Sequence, residues 1–321
     1  MHHLLGLEGL SAEQINAYLD NAKSFVEVGS RELKKVPTLR GKTIINLFME
    51  PSTRTRSSFE IAGKRLSADV INISGSESSA KKGETLLDTA RTLEAMAPDV
   101  LVVRHKESGA AHFLARHLKH TSIVNAGDGT HEHPTQGLLD CLTLQQHFTA
   151  KGTTLSGKTI AIVGDIRHSR VARSNVYALT TLGNTVHLIG PPSLLGEEFT
   201  SNDCFGPLVS AGKVKRFTEI TAGITGADVI MVLRMQMERQ ESHFVPSLQE
   251  YTDAYCITEQ RITQYAPQAV VLHPGPMNRG IEIATDVADG PRSLVTTQVA
   301  NGLAVRMAVL FVHAVQGGKH D

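Results

Sequence analysis

Thr43-Ile44-Ile45-Asn46-Leu47-Phe48 runs directly into Met49-Glu50-Pro51-Ser52-Thr53-Arg54-Thr55-Arg56-Ser57-Ser58. The first six residues form a short apolar run with one polar interruption, which reads as a strand. The polar segment that follows carries Ser and Thr where a helix would begin. A strand that feeds a helix through a short turn is the repeating unit of a parallel sheet, because parallel neighbours need a crossover.

The same rhythm extends on both sides. Apolar runs at 70–73, 100–103 and 123–124 predict further strands, with helical patterns over 52–66, 84–96 and 109–118. Upstream, Ser11 and Gln14 form a capping-box pattern. Ile15, Tyr18, Leu19, Ala22, Phe25 and Val26 then recur at helical spacing. Downstream, a helix is predicted over 134–148 and a turn over 151–157. Strand patterns resume at 160–163, 186–189, 229–233 and 270–272, and a long apolar helix closes the chain over 293–315. The expectation is an α/β chain of two doubly wound parallel-sheet domains joined by inter-domain helices. The first comprises residues 1–145, with helix 293–315 packing back on it, and the second comprises 146–292.

Length agrees, since 321 residues at roughly 150 per domain make about two domains. Thirty-two basic residues balance thirty-two acidic ones, so no whole-chain signature of nucleic-acid or membrane-surface binding is present. Trp is absent and aromatics make up 5%, which argues against a stacking platform for single strands. Cys141, Cys204 and Cys256 are isolated and odd in number, so neither a disulfide framework nor a thiolate zinc site is expected. No signal-peptide run and no stretch approaching a membrane span is read, and a cytoplasmic enzyme is expected.

Five segments carry chemistry. Ser52-Thr53-Arg54-Thr55 is either a capped helix with solvated arginines or a phosphate cradle at a helix N-terminus. His133-Pro134-Thr135-Gln136 places an imidazole and an amide at another helix start, where a capping histidine is the alternative. His131 and His133 are close in sequence, but the only carboxylate at a supporting interval is Glu132, which would point elsewhere on any regular element, so a metal site is not expected there. Gly164-Asp165-Ile166-Arg167-His168-Ser169-Arg170 lacks a dinucleotide fingerprint, yet Arg170 could grip a carboxylate with its planar fork. Arg234-Met235-Gln236 adds a second cation beyond a strand. Arg54, Arg104, Arg170 and Arg234 all fall just past predicted strands, where open α/β sheets bind ligands. His273-Pro274-Gly275-Pro276 is a stiff loop whose prolines lack N–H groups and whose carbonyls can face an amino group.

These segments, in this order, resemble the carbamoyltransferases over essentially the whole chain. Arg234-Met235-Gln236 resembles the Arg-x-Gln of the branch that takes aspartate. The acidic residue, Ser-Met-Gly run and His-Cys-Leu-Pro loop of the ornithine branch are missing. The resemblance implies that Ser52, Thr53, Arg54 and Thr55 hold the phosphate of carbamoyl phosphate. It implies that Thr55, Arg104 and His133 donate to its carbonyl oxygen. Gln136 and the carbonyls of Pro274 and Gly275 would accept from its NH2. L-Aspartate would dock through Arg170, Arg234 and Gln236.

The stretch 76–84 resembles a loop that enters a neighbouring subunit's site with a serine and a lysine. Spacing suggests Ser78 and Lys82, with Ser79 and Lys81 adjacent, and a homotrimer with shared sites follows. Arg54, Thr55, Lys82, Arg104 and His133 are then the expected catalytic residues. The reaction implied needs no metal or organic cofactor. Met277-Asn278-Arg279-Gly280 resembles bacterial forms that associate with dihydroorotase or dihydroorotase-like chains rather than a nucleotide-sensing regulatory chain. Two rivals remain: an enzyme for another amine acceptor such as ornithine, and a non-catalytic ligand-binding module.

Overall fold

The computed structural model describes residues 3–75, 84–196, 205–235 and 247–316. Ser78, Ser79, Lys81, Lys82, Cys204 and Gln236 lie outside the described residues. The chain begins with α1 (Ala12–Ser30), β1 (Thr43–Phe48), α2 (Thr53–Arg65), β2 (Asp69–Ser74), α3 (Leu86–Glu94), β3 (Val100–His105), α4 (Ala110–His117), β4 (Ser122–Asp128) and α5 (Pro134–Ala150). There follow β5 (Thr159–Val163), α6 (Arg170–Thr181), β6 (Thr185–Ile189), α7 (Pro192–Leu195), α8 (Gly206–Ser210) and β7 (Val214–Phe217). The order is completed by α9 (Ile220–Ile224), β8 (Val229–Val232), α10 (Leu248–Tyr255), α11 (Glu259–Tyr265), β9 (Val270–Leu272), α12 (Thr285–Ala288) and α13 (Val295–Gln316).

The chain divides into two compact units, Met1–Leu142 with Ala300–Asp321, and Thr143–Val299. The divisions fall inside α5 and α13, against expected boundaries after 145 and 292. The first unit holds a sheet in the order β2-β1-β3-β4, the second a sheet in the order β7-β6-β5-β8-β9. The pairings between these strands are parallel. In each sheet the chain winds outward one way and then reverses, so a topological switch point lies between β1 and β3 and another between β5 and β8.

Inner strands are apolar on both faces because helices cover both sides. In β1 every residue after Thr43 is buried, and Ile45 stands opposite both Ile71 and Leu101. Ile45, Leu47, Leu101, Val103, Leu93, Leu114 and Ile123 share one core in the first unit. Ala161, Val163, Ile230, Val232, Val271, Ile262 and Ile283 share one in the second. The capping box at α1 is present, with Gln14 N donating to Ser11 Oγ and Ser11 N to Gln14 Oε1.

Three readings need correction. Strand β7 was not anticipated, because Val-Lys-Arg-Phe has no apolar run and pairs only at an edge. On α1, Val28 is buried while Val26 is exposed, so the inner face ends two residues later. The third concerns membrane spans, since α13 is long and apolar enough to cross one by length and composition. More than half of that stretch is buried inside the protein. Its polar groups have protein partners: Arg306 Nη1 donates to Ser58 Oγ at 3.0 Å, and His313 Nε2 meets Tyr18 Oη at 2.8 Å. A side chain at Gly302 would come within 2.8 Å of Arg306 Nη1 and 3.1 Å of Leu139. This is a packed core helix.

Candidate active site

Helix α2 starts directly beyond β1, at the first sheet's switch point. Ser and Thr at the starts of α1, α3, α6, α10 and α11 all accept a hydrogen bond from their own helix. Ser52 does not: it stands at the N-cap of α2 with no side-chain cap bond and no acidic residue in the first turn. The reading of a conventionally capped helix therefore fails. The first intrahelical donor is Arg56 N, to Ser52 O at 3.0 Å, so the N–H groups of residues 53–55 precede the ladder and point along its positive end. Thr55 is buried in that turn, and Arg54 is exposed.

Arg104 lies in the last turn of the pleat of β3 rather than beyond the strand, a small correction. The β3–β4 register passes from Val103↔Asn125 to His105↔Asp128, so Ala126 and Gly127 together oppose Arg104. Such an irregularity re-aims a side chain. The guanidinium donates to Ala126 O at 3.1 Å and to Glu50 Oε1 at 2.9 Å, which fixes its plane.

Sequence reading missed Arg306, which is 6% exposed on α13. Its pKa is pushed down to about 10, mainly by burial, then by repulsion from Arg54 and Arg104, with Asp140 opposing. Arg54 and Arg104 thus both repel the Arg306 guanidinium. That concentration of positive charge suits a bound anion.

His133 caps α5, its carbonyl accepting from Gln136 N at 2.9 Å and Gly137 N at 3.2 Å. Gln136 Nε2 donates to Asp140 Oδ1 at 3.0 Å, one turn along the helix. Asp140 is fully buried. Because a carboxylate accepts only, this contact commits the amide nitrogen and turns the Gln136 carbonyl toward any external donor. Asp140 had no sequence signal beyond its helical spacing.

In the second unit, Arg170 opens α6 beyond β5 and Arg234 follows β8, on either side of that sheet's switch point. Gly164, at φ +130°, ends β5 where a Cβ would lie 3.0 Å from Leu233 O and 3.2 Å from Tyr251 Oη. Only glycine lets these strand ends approach. Arg170 is buried, behind a Ser169 cap that accepts from Ala172 N at 3.1 Å.

The 273–278 loop is held from within. Gly275 N donates to His273 Nδ1 at 2.8 Å, so Nε2 carries the proton toward Glu282 Oε1 at 3.3 Å. Glu282 Oε1 also accepts from Asn278 N at 2.5 Å. Gly275 has φ +61°, a left-handed conformation that favours glycine, and it precedes a cis peptide bond to Pro276. A bulkier residue at this position would meet that conformational cost.

These features define an α/β protein with arginines gathered at the carboxyl ends of the strands flanking each switch point. Residues 2–146 match the carbamoyl-P binding domain of aspartate/ornithine carbamoyltransferases, and residues 156–313 match their Asp/Orn binding domain. The chain belongs to that family. It is 58% identical over 311 residues to the aspartate carbamoyltransferase catalytic subunit of Magnetococcus marinus, covering 96% of this chain and 92% of the relative. The same subunit of Syntrophotalea carbinolica is 54% identical, with 99% and 96% covered. Among solved structures, aspartate transcarbamoylase of Trypanosoma cruzi in complex with carbamoyl phosphate and aspartate superposes with a TM-score of 0.84 at 32% identity, covering 96% and 95%. The catalytic subunit of the M. jannaschii enzyme gives 0.83 at 33%, covering 100% of both chains.

Proposed function

We infer that this chain transfers the carbamoyl group of carbamoyl phosphate to the amino group of L-aspartate. The products are N-carbamoyl-L-aspartate and phosphate, and the reaction belongs to de novo pyrimidine biosynthesis. The observation that carries this reading is the uncapped start of α2 beside Arg54, Arg104 and Arg306. A dianionic phosphate supplies the acceptors that this turn lacks.

In this reading Ser52, Thr53, Arg54 and Thr55 hold the phosphate. The unprotonated amine of aspartate attacks the carbonyl carbon, whose oxygen gains negative charge. Thr55, Arg104 and His133 donate to that oxygen. Glu50 and Ala126 O hold the Arg104 guanidinium beforehand, so little reorganisation is needed as charge develops. The Gln136 carbonyl, directed by Asp140, and the carbonyls of Pro274 and Gly275 accept from the carbamoyl NH2. The C–O bond to phosphate then breaks, and the leaving phosphate takes the proton of the amine. Arg170, Arg234 and Gln236 bind the two carboxylates of aspartate. Phosphate release that depends on L-aspartate tests the reaction, and its absence would overturn it.

We extend the reading to a homotrimer in the cytoplasm with shared sites, each completed by Ser78 and Lys82 of a neighbouring chain. Support comes from β2, an edge strand with Ile71 47% exposed, which leads into that stretch. The buried free thiols of Cys141 and Cys256 suit a reducing compartment. Mixing inactive Lys82→Ala and Arg54→Ala chains restores activity if sites are shared, and no recovery in mixed trimers contradicts sharing. The relatives are named catalytic subunits, which favours a further chain in the native assembly, dihydroorotase-like or regulatory. Isolation of the native complex identifies it.

A further inference from the structure

His131 stands two residues before His133, and the folded chain gives it partners that sequence spacing does not. His112, on α4, brings its ring centroid to 5.2 Å from that of His131, with the planes at 79°. One ligand atom each from His112, Asp128 and His131 lies within 4.8 Å of the other two. A second set, Glu8, His131 and Glu132, satisfies the same limit. Glu8, His112, His131 and Glu132 also line a cavity of about 360 Å³ in the first unit.

The two carboxylates beside His131 differ in what they can offer. Glu132 accepts from Leu7 N at 2.8 Å and Glu8 N at 3.2 Å, which ties it to the N-terminal segment. Asp128 is oriented by Gly109 N at 2.6 Å and Asn125 Nδ2 at 2.7 Å, a rigid support for a carboxylate that faces two imidazoles. Both its oxygens lie 3.2 Å from His131 Nδ1. That is long for a charge-assisted hydrogen bond. It is close to the edge of a zinc coordination tetrahedron, about 3.3 Å for bonds of about 2.0 Å. The Nδ1 atom of His112 is buried and makes no hydrogen bond.

We propose that His112, Asp128 and His131 bind a divalent transition-metal ion of the zinc class, with the exposed carboxylate of Glu8, which shares the second ligand group with His131, as a further oxygen donor. Two imidazoles and a carboxylate are borderline ligands that suit zinc, cobalt or nickel rather than magnesium or calcium. Binding displaces the proton between His131 and Asp128 to solvent and replaces one hydrogen bond with coordinate bonds. The ion clamps α4 to the turn that leads into His133, so its role is structural and separate from the transfer reaction.

The test uses the full chain, stripped with a chelator and titrated with Zn2+ by calorimetry, with Co2+ as a spectroscopic probe. One ion per chain is expected, together with a tetrahedral Co2+ ligand-field spectrum and a rise in melting temperature on adding Zn2+. His112→Ala and His131→Asn each weaken binding by about 100-fold, and the double variant loses the thermal shift. His112→Ala keeps the metal-free transfer rate and a native circular dichroism spectrum, which separates lost ligation from lost folding. Unchanged Zn2+ affinity in the double variant, or no saturable site in the wild-type chain, overturns the proposal.

Discussion

His273 and Glu282 form a fully enclosed pair, with Nε2 3.3 Å from Oε1 and neither residue more than 2% exposed. The same carboxylate accepts from Asn278 N, and His273 Nδ1 accepts from Gly275 N, so both ends of the loop that carries the Pro274 and Gly275 carbonyls are held.

Glu282→Gln tests that relationship. The amide keeps the volume but loses the charge and one acceptor, so the loop is less well defined. The transfer rate is expected to fall about tenfold, with a stability loss of about 1–3 kcal/mol, because a buried hydrogen-bonded group loses its partner. Steady-state kinetics and urea unfolding measure both. An unaltered rate would remove the 273–278 loop from the reaction.

Arg54→Ala removes an exposed side chain, so the melting temperature stays near wild type. Turnover falls by about 10²- to 10³-fold or more, the scale for losing one preorganised donor. Near-normal turnover would take Arg54 out of the phosphate site.

Asp140→Asn changes what Gln136 meets and also removes a charge that offsets the repulsion at Arg306. The asparagine amide can donate as well as accept, so the Gln136 amide is free to rotate and present its NH2 where a carbonyl is needed. The expected result is a fall in kcat of about tenfold with little change in KM for aspartate. A selective rise in the aspartate KM would contradict the assignment.

Arg234→Ala is expected to weaken aspartate binding far more than carbamoyl phosphate binding. Separate KM values for the two substrates provide the measurement. Equal effects on both would place Arg234 outside the aspartate subsite.

His187 offers a pH probe remote from these groups. Burial lowers its pKa, opposed by the hydrogen bond to Gly223 O at 2.8 Å. The unfolded chain therefore binds a proton at a higher pH than the native one, and ∂ΔG/∂pH is positive in that window. The stability contribution is complete above the ordinary histidine value and is lost as pH falls through the lowered one. Nuclear magnetic resonance should give a His187 midpoint below 6.5, the ordinary value. A midpoint at or above it would contradict the burial argument.

The alternation of short apolar runs with amphipathic stretches was legible because helices cover both faces of each sheet, and Thr43–Phe48 and Val270–Leu272 coincide with their predicted strands. The edge strand β7 was not legible, since exposed Lys215 and half-buried Arg216 break its apolar pattern. Residues next to strand ends were visible as motifs, whereas the groups that orient them were not. Asp140, Glu282 and Arg306 act through helical turns and long-range packing, and nothing local distinguishes them from other buried or surface charges. His112 illustrates the same limit, for it meets His131 only after β4 folds beside α4.

Ureido-product formation from carbamoyl phosphate with L-aspartate, run beside L-ornithine, decides the identity of the acceptor. In the proposed reading Arg170 and Arg234, which flank the second sheet's switch point, bind the two carboxylates of aspartate and disfavour the side-chain ammonium of ornithine. Product with aspartate alone is the predicted result. Product with ornithine, or with neither amino acid, would contradict it.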